Sequence, residues 1–192
     1  RRLYQPFAAS GRVEIKAIPY YAWDNRKAGP MQVWLPFAPP VPTAGGLEQQ
    51  AKVTVSFANN NSQPDGIRDG IEPKRSGEQP AALCHWWPHR GREEWAQYTW
   101  QKPVSVSGAR IFWFDDTDRG ACRLPASWQI LCLENGEWKP VKAKSNYAIR
   151  LDQWCDVAFE PVTTTAMKLS VKMQPEWAAG VHEWKVIAED EE

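Results

Sequence analysis

The stretch Glu94-Trp-Ala-Gln-Tyr-Thr-Trp-Gln-Lys-Pro-Val-Ser-Val-Ser-Gly-Ala-Arg-Ile-Phe-Trp113 decides the fold. It holds two runs rich in β-branched and aromatic residues, Trp95–Trp100 and Val104–Phe114, and reads as two strands. Runs of the same kind recur at Val53–Ala58, Ser127–Leu133, Cys155–Pro161, Ala166–Met173 and Val181–Ala188, between clusters of Gly, Pro, Asn and Asp. In Val53-Thr-Val-Ser-Phe57 and Met167-Lys-Leu-Ser-Val-Lys-Met173, apolar and polar residues alternate with period two, so one face of each strand is buried and the other is wet. Asn135-Gly136 between apolar runs is a hairpin turn that sets its flanking strands side by side. No segment has helical periodicity and no repeat of solenoid length occurs. The expected class is all-β, an antiparallel sandwich.

Composition narrows the function. The chain has 192 residues with 23 Lys plus Arg against 23 Asp plus Glu, so no field of one sign exists to hold a nucleic acid or an anionic membrane. No apolar run reaches the ~20 residues of a membrane helix, and Arg1-Arg-Leu-Tyr4 opens no signal-peptide core. The chain therefore reads as soluble. Twelve tryptophans stand out; a rigid apolar face with one polar tip suits both protein interfaces and sugar platforms. The four cysteines, at 84, 122, 132 and 155, show neither a Cys-x-x-Cys pair nor zinc spacing, which favours free thiols.

One composition shift divides the chain. Pro36, Pro39, Pro40, Pro42 and Gly45-Gly46 cannot continue a sheet and read as a linker. The expected organisation is a terminal hairpin of a preceding sandwich at 1–36, a linker at 37–52, the sandwich at 53–188 and an acidic tail at 189–192. The hairpin pairs Arg12–Trp23 with Met31–Leu35. Alone it would be marginal in water, so it needs a partner to pack against.

Two loops carry candidate chemistry. Phe114 is followed by Asp115-Asp-Thr-Asp-Arg-Gly-Ala-Cys-Arg123, which crowds carboxylates and guanidinium groups around one glycine. Asp115 and Asp116 are adjacent and point opposite ways, whereas a retaining glycosidase pair must face each other at ~5 Å. An EF-hand loop counted from Asp116 needs a glutamate at its twelfth position, where Ser127 stands. The remaining readings are a sugar site, with carboxylates and arginines on hydroxyls, or a long loop braced by Arg119 and Arg123 on the aspartates. The second loop is Cys84-His-Trp-Trp-Pro-His-Arg90. If the strands starting at Trp95 and ending at Phe114 form a hairpin, both loops lie at one edge. The expected sugar-binding set is His85, Trp86, Trp87, His89, Arg90, Asp115, Asp116, Arg119, Arg123 and Trp177, the last from the Pro/Gly loop Gln174–Gly180. Alternation sends one of Trp86 and Trp87 inward. His85 and His89 lack a third metal ligand nearby, and the sequon Asn60-Asn-Ser62 is given no role.

Ile18-Pro-Tyr-Tyr-Ala-Trp-Asp-Asn-Arg26 with Met31-Gln-Val-Trp-Leu-Pro36 resembles the closing hairpin of the bacterial β-L-arabinofuranosidases, a glycoside hydrolase family. In that family the hairpin ends a sandwich that follows an α/α-barrel, and a cysteine nucleophile beside zinc sits in the barrel. The four cysteines here fall downstream of the hairpin and inherit no catalytic role. From about Val53 to Val186 the chain resembles the accessory modules of such hydrolases and, more broadly, galactose-binding-like, discoidin-type sandwiches. The carriers are Asp69-Gly70, the Glu94–Trp113 stretch, Pro125-Ala-Ser-Trp-Gln-Ile-Leu131 and Val181-His-Glu-Trp-Lys-Val186. The resemblance implies one structural Ca2+ at Asp69 and Glu183, with Gly66, Ile71, Ser76 and His182 around it; carboxylate and carbonyl oxygens are what calcium prefers.

These readings imply a non-catalytic carbohydrate-binding module, periplasmic or extracellular, that holds its parent hydrolase's catalytic domain near plant-type polysaccharide. Two alternatives are a structural fragment of the arabinofuranosidase without sugar binding, and a discoidin-like protein-interaction domain.

Overall fold

The structure, a computed structural model, describes residues 46–189. The 1–36 hairpin and the end of the acidic tail lie outside the described residues, and the chain divides into units Arg1–Ala38 and Pro39–Glu192.

Seven strands form the described part: β1 (Lys52–Val55), β2 (Cys84–His85), β3 (Glu93–Phe114), β4 (Ser127–Glu134), β5 (Glu137–Pro140), β6 (Trp154–Lys172) and β7 (Gly180–Ala188). All pair antiparallel, in the order β2-β7-β3-β6-β4-β5, with β1 on β3. The architecture is the expected antiparallel β-sandwich. β3 and β6 build both layers. The first half of β3 pairs with β1 and the second with β7, while β6 accompanies β3 throughout and gives its own last third to β4. Register breaks between Thr99 and Val104 and between Val106 and Gly108 mark the bend.

The sequence reading separated Trp95–Trp100 from Val104–Phe114, and Cys155–Pro161 from Ala166–Met173. Each pair is one continuous strand. Proline is tolerated at such irregularities, so Pro103 bends β3 without ending it. The Asn135-Gly136 hairpin forms as expected, with φ of 51° and 83° at its two turn residues. Residues 46–52, read as the end of the linker, belong instead to the folded unit. Leu47–Gln50 is a helical turn, and the Trp100 indole donates to the Leu47 carbonyl at 2.7 Å. The buried Glu48 accepts the Val186 amide at 3.2 Å.

The core lies between the layers. Tyr98 stacks on Trp184 with ring centres 4.1 Å apart, and its buried hydroxyl donates to the Trp184 carbonyl at 2.9 Å. Trp113, Trp128, Ile111, Ile130, Met167 and Leu169 fill the centre. Leu83, Phe114, Cys122 and Ala178 form a separate small apolar cluster.

Candidate functional site

That small cluster floors a cavity of about 320 Å³. Leu83, Phe114 and Cys122 supply its apolar base, Trp87, 40 % exposed, flanks it, and Asn61, Gln79, His85 and Asp116 supply its polar groups. The two loops singled out in the sequence do meet here, although through a different geometry from the expected hairpin. β3 is continuous, so Glu93 and Phe114 lie at its opposite ends. β7 makes the connection: Gly180 pairs with His85 on one side and with Phe114 on the other. A Cβ on Gly180 would lie 3.0 Å from the Cys84 carbonyl oxygen and 3.0 Å from the Phe114 ring, so a side chain there would have to push its neighbours back by a few tenths of an ångström.

Asp116 is anchored on one side and open on the other. Its Oδ1 accepts the Cys122 amide at 2.8 Å and Arg123 Nη1 at 3.4 Å. Its Oδ2 accepts no hydrogen bond from the described residues and faces Gly120, where an added Cβ would come within 1.9 Å of it. His85 is held by its ring as well as its strand: Nε2 lies 3.2 Å from the Asn61 carbonyl, so Nε2 carries the proton, and burial pushes the imidazole pKa down. The Asn59 amide nitrogen donates to the Trp87 carbonyl at 2.7 Å, tying the exposed indole to the same turn. Ser62, the last residue of the sequon, is buried and accepts the His85 amide at 3.1 Å, which gives it a structural task. Asn61 and Gln79 were missed in the sequence because neither sits in an aromatic or charged cluster.

The other expected sugar ligands lie elsewhere. Trp86 is fully buried in the core. His89 stacks on Phe57 at 3.8 Å and bonds Glu94 at 2.6 Å, and Arg90 is exposed beyond the cavity lining. Asp115 is occupied by its own loop: Oδ1 accepts the Thr117 amide and hydroxyl at 2.9 and 2.6 Å, and Oδ2 accepts the Leu124 amide at 3.0 Å. Arg119 turns to the far side of the loop, donates to the Gly77 carbonyl and lines a separate open cleft with Arg75, Asp118 and Asp152. Arg123 donates to the Gly120 and Cys122 carbonyls at 3.1 and 2.7 Å, and its guanidinium covers the Trp177 ring. Of the expected arginine–aspartate braces only Arg123–Asp116 forms; Asp115 is held by Thr117 and the Leu124 amide and Arg119 by the Gly77 carbonyl, while Asp116 keeps one oxygen free of hydrogen bonds from the described residues.

Asp69 and Glu183 come together. Glu183 is almost fully buried, and its Oε1 accepts the Gly70 amide at 2.8 Å. Burial first, then the adjacent Asp69 carboxyl, pushes Glu183 up to about 9, and burial also raises Asp69. Two carboxyls in hydrogen-bonding contact out of water share a proton or hold a cation. Gly66, Asp69, Ile71 and His182 line a cavity of about 20 Å³ beside them, and a Cβ on Gly66 would lie 2.8 Å from the Ala82 carbonyl oxygen. Three residues of the implied set do not serve as side-chain ligands. Ile71 has none to offer and is exposed. His182 Nε2 donates to the Ser76 carbonyl at 2.8 Å. That carbonyl also accepts the Asp115 amide, and the Ser76 hydroxyl accepts the Asp152 amide at 2.9 Å, which occupies Ser76. Among the described residues no three His, Cys, Asp or Glu side chains converge, so the side-chain oxygens available here are those of the two carboxyls.

All four cysteines are free and buried, and burial raises Cys84, Cys122 and Cys132 to about 12.

Residues 4–36 match the family model described as glycoside hydrolase family 127 C-terminal domain. For the fold, a chain of the Streptococcus pneumoniae β-galactosidase BgaA aligns with a TM-score of 0.63 at 16% identity, over 78% of this chain and 98% of that one. A Clostridium perfringens module, CpGH89CBM32-5, solved with GalNAc-β-1,3-galactose, aligns at 0.56 and 12% identity, over 73% and 97%. The family 32 carbohydrate-binding module of C. perfringens NanJ, solved with galactose, aligns at 0.52 and 15% identity, over 72% and 94%. A segment similar to a glycoside hydrolase C-terminal domain is thus followed by a sandwich with the fold of hydrolase-associated sugar-binding modules.

Proposed function

We propose that residues 46–189 are a non-catalytic carbohydrate-binding module that keeps a linked glycoside hydrolase near plant-type polysaccharide outside the cell. The observation that carries this reading is the cavity between Trp87 and Asp116. An exposed indole offers a flat surface for the C–H face of a sugar ring, and the fixed Asp116 carboxylate has one oxygen left for a hydroxyl. Affinity of this kind acts through effective concentration on the tethered enzyme. The non-catalytic reading fits a cavity whose lining carries one carboxylate, Asp116, and a Cys122 thiol that burial raises to about 12. Ca2+ held by Asp69 and Glu183 with nearby backbone carbonyls would stabilise the loop of residues 66–71, and hard oxygen donors fit it.

The test is a plant and bacterial glycan array followed by calorimetry on Trp87→Ala and Asp116→Ala. Sugar binding that weakens at least tenfold in both variants is expected. Silence of the folded protein across the array would favour the second reading, a structural extension of the hydrolase, which the loop-bracing roles of Asp115, Arg119 and Arg123 also fit.

A further inference from the structure

On the outer face of the sheet, away from the cavity residues, Lys168 of β6 places its ammonium 4.8 Å from the centre of the Trp95 ring in β3 and 4.0 Å from that of Trp138 in β5. In the strand order β3-β6-β4-β5, Lys168 lies between the strands that carry the two indoles. Its register partners are Gln97 and Leu131. All five residues are half-buried. Burial lowers the Lys168 pKa, the mark of a cation that has given up part of its water.

What this cluster lacks is a carboxylate. Among the described residues no carboxylate lies within ion-pair distance of Lys168, and neither the Trp95 nor the Trp138 indole N–H has a hydrogen-bond partner. The one acid in this row of β3, Glu93, pairs across to Lys172 and accepts the Ser170 hydroxyl at 2.7 Å. Gln97 donates its amide to Thr99 at 3.0 Å. The face therefore presents an ammonium and two indole donors, set among apolar faces that include Leu131. Its complement is an anion with an apolar body, and a uronic acid residue has that form: a carboxylate at one end of a ring whose C–H face can lie on indole. A carboxylate close to a partly desolvated ammonium also gains more than one meeting a fully hydrated lysine.

We propose that the Trp95–Lys168–Trp138 face is a second binding site, for uronate residues of an acidic polysaccharide. The inference borrows from the proposed function only the choice of a saccharide as the carrier of the carboxylate.

The test is calorimetry of the whole chain with short oligogalacturonides, their methyl esters and poly-glutamate. Free oligogalacturonide is expected to bind at least tenfold more tightly than its ester. Lys168→Gln should remove that difference, Trp138→Ala should weaken binding severalfold, and Trp87→Ala should leave it unchanged. Equal binding of acid and ester, full affinity in Lys168→Gln, or no binding of oligogalacturonide at all would overturn the site. Poly-glutamate binding as tightly as oligogalacturonide would overturn the saccharide assignment. Because Trp87 and Asp116 govern the cavity and Lys168 governs this face, failure at one is read separately from failure at the other.

Discussion

The guanidinium carbon of Arg123 lies 4.0 Å from the centre of the Trp177 ring, and the same side chain donates to two carbonyls of the loop that carries Asp116. The pair joins the Asp115–Arg123 loop to the one between β6 and β7, where the Ala178 amide and carbonyl also bond Ala121 and Arg123. Arg123→Ala should lower stability by about 1–3 kcal/mol, the range for losing charge-assisted hydrogen bonds to partly buried partners. A double-mutant cycle with Trp177→Ala should show coupling on the order of 0.5–2 kcal/mol in chemical denaturation. Additive effects would mean that the stacking contributes nothing.

Gly120 faces the free oxygen of Asp116. A methyl group there must push the carboxylate aside while Oδ1 stays tied to the Cys122 amide. Gly120→Ala is expected to weaken sugar binding about tenfold, or about 1.4 kcal/mol, with little change in melting temperature. Trp138→Ala should leave neutral-sugar binding unchanged, since Trp138 lies on the far hairpin. A Gly120→Ala protein with full affinity would remove Asp116 from the site.

Trp86 and Trp87 are neighbours with opposite fates. Trp86→Ala empties a fully buried position and should cost about 3–5 kcal/mol of stability. Trp87→Ala should leave the melting curve nearly in place and lower sugar affinity at least tenfold, about 1.4 kcal/mol. Paired denaturation and binding curves separate the two.

The Asp69–Glu183 pair makes a pH prediction. Glu183 stands near 9 when folded against 4.5 when unfolded, so between those values the native state holds a proton that the unfolded chain has released. Without metal, stability therefore falls as pH rises, by up to about 1.4 kcal/mol per pH unit for one proton. Between pH 7 and 8.5 the lowered pKa values of His85 and His182 keep them neutral and out of the balance. Melting temperatures in chelator should drop across this window. Calcium should raise them most at its upper end, because binding expels the shared proton, and magnesium should do less. A flat profile, unaltered by calcium, would remove the ion from the account.

Much of the sandwich was readable from strand residues and from the Asn135-Gly136 turn, because period-two alternation reports one buried face directly. The union of the short runs into β3 and β6 was not, since a bend with an unpaired stretch looks in sequence like a turn. For the site, residue type located the two loops but not the direction of each side chain. Asp115 and Asp116 are chemically alike, and only the backbone amides of Thr117 and Leu124 decide that the first is satisfied within its own loop. Asn61 entered the cavity through its tie to His85, a contact between residues 24 apart in the chain that no local pattern encodes.

The two long strands have a mechanical consequence. Because β3 and β6 each run without interruption through both layers, neither layer can melt while the other stays intact; their backbones are common property. Amide exchange over Trp95–Thr99 and over Val104–Phe112 should then occur only by global opening, with one free energy for the two paired stretches on either side of the bend. In the proposed role of a tether between a hydrolase and its polysaccharide, the sandwich would act as a single link that transmits load until the whole of it yields.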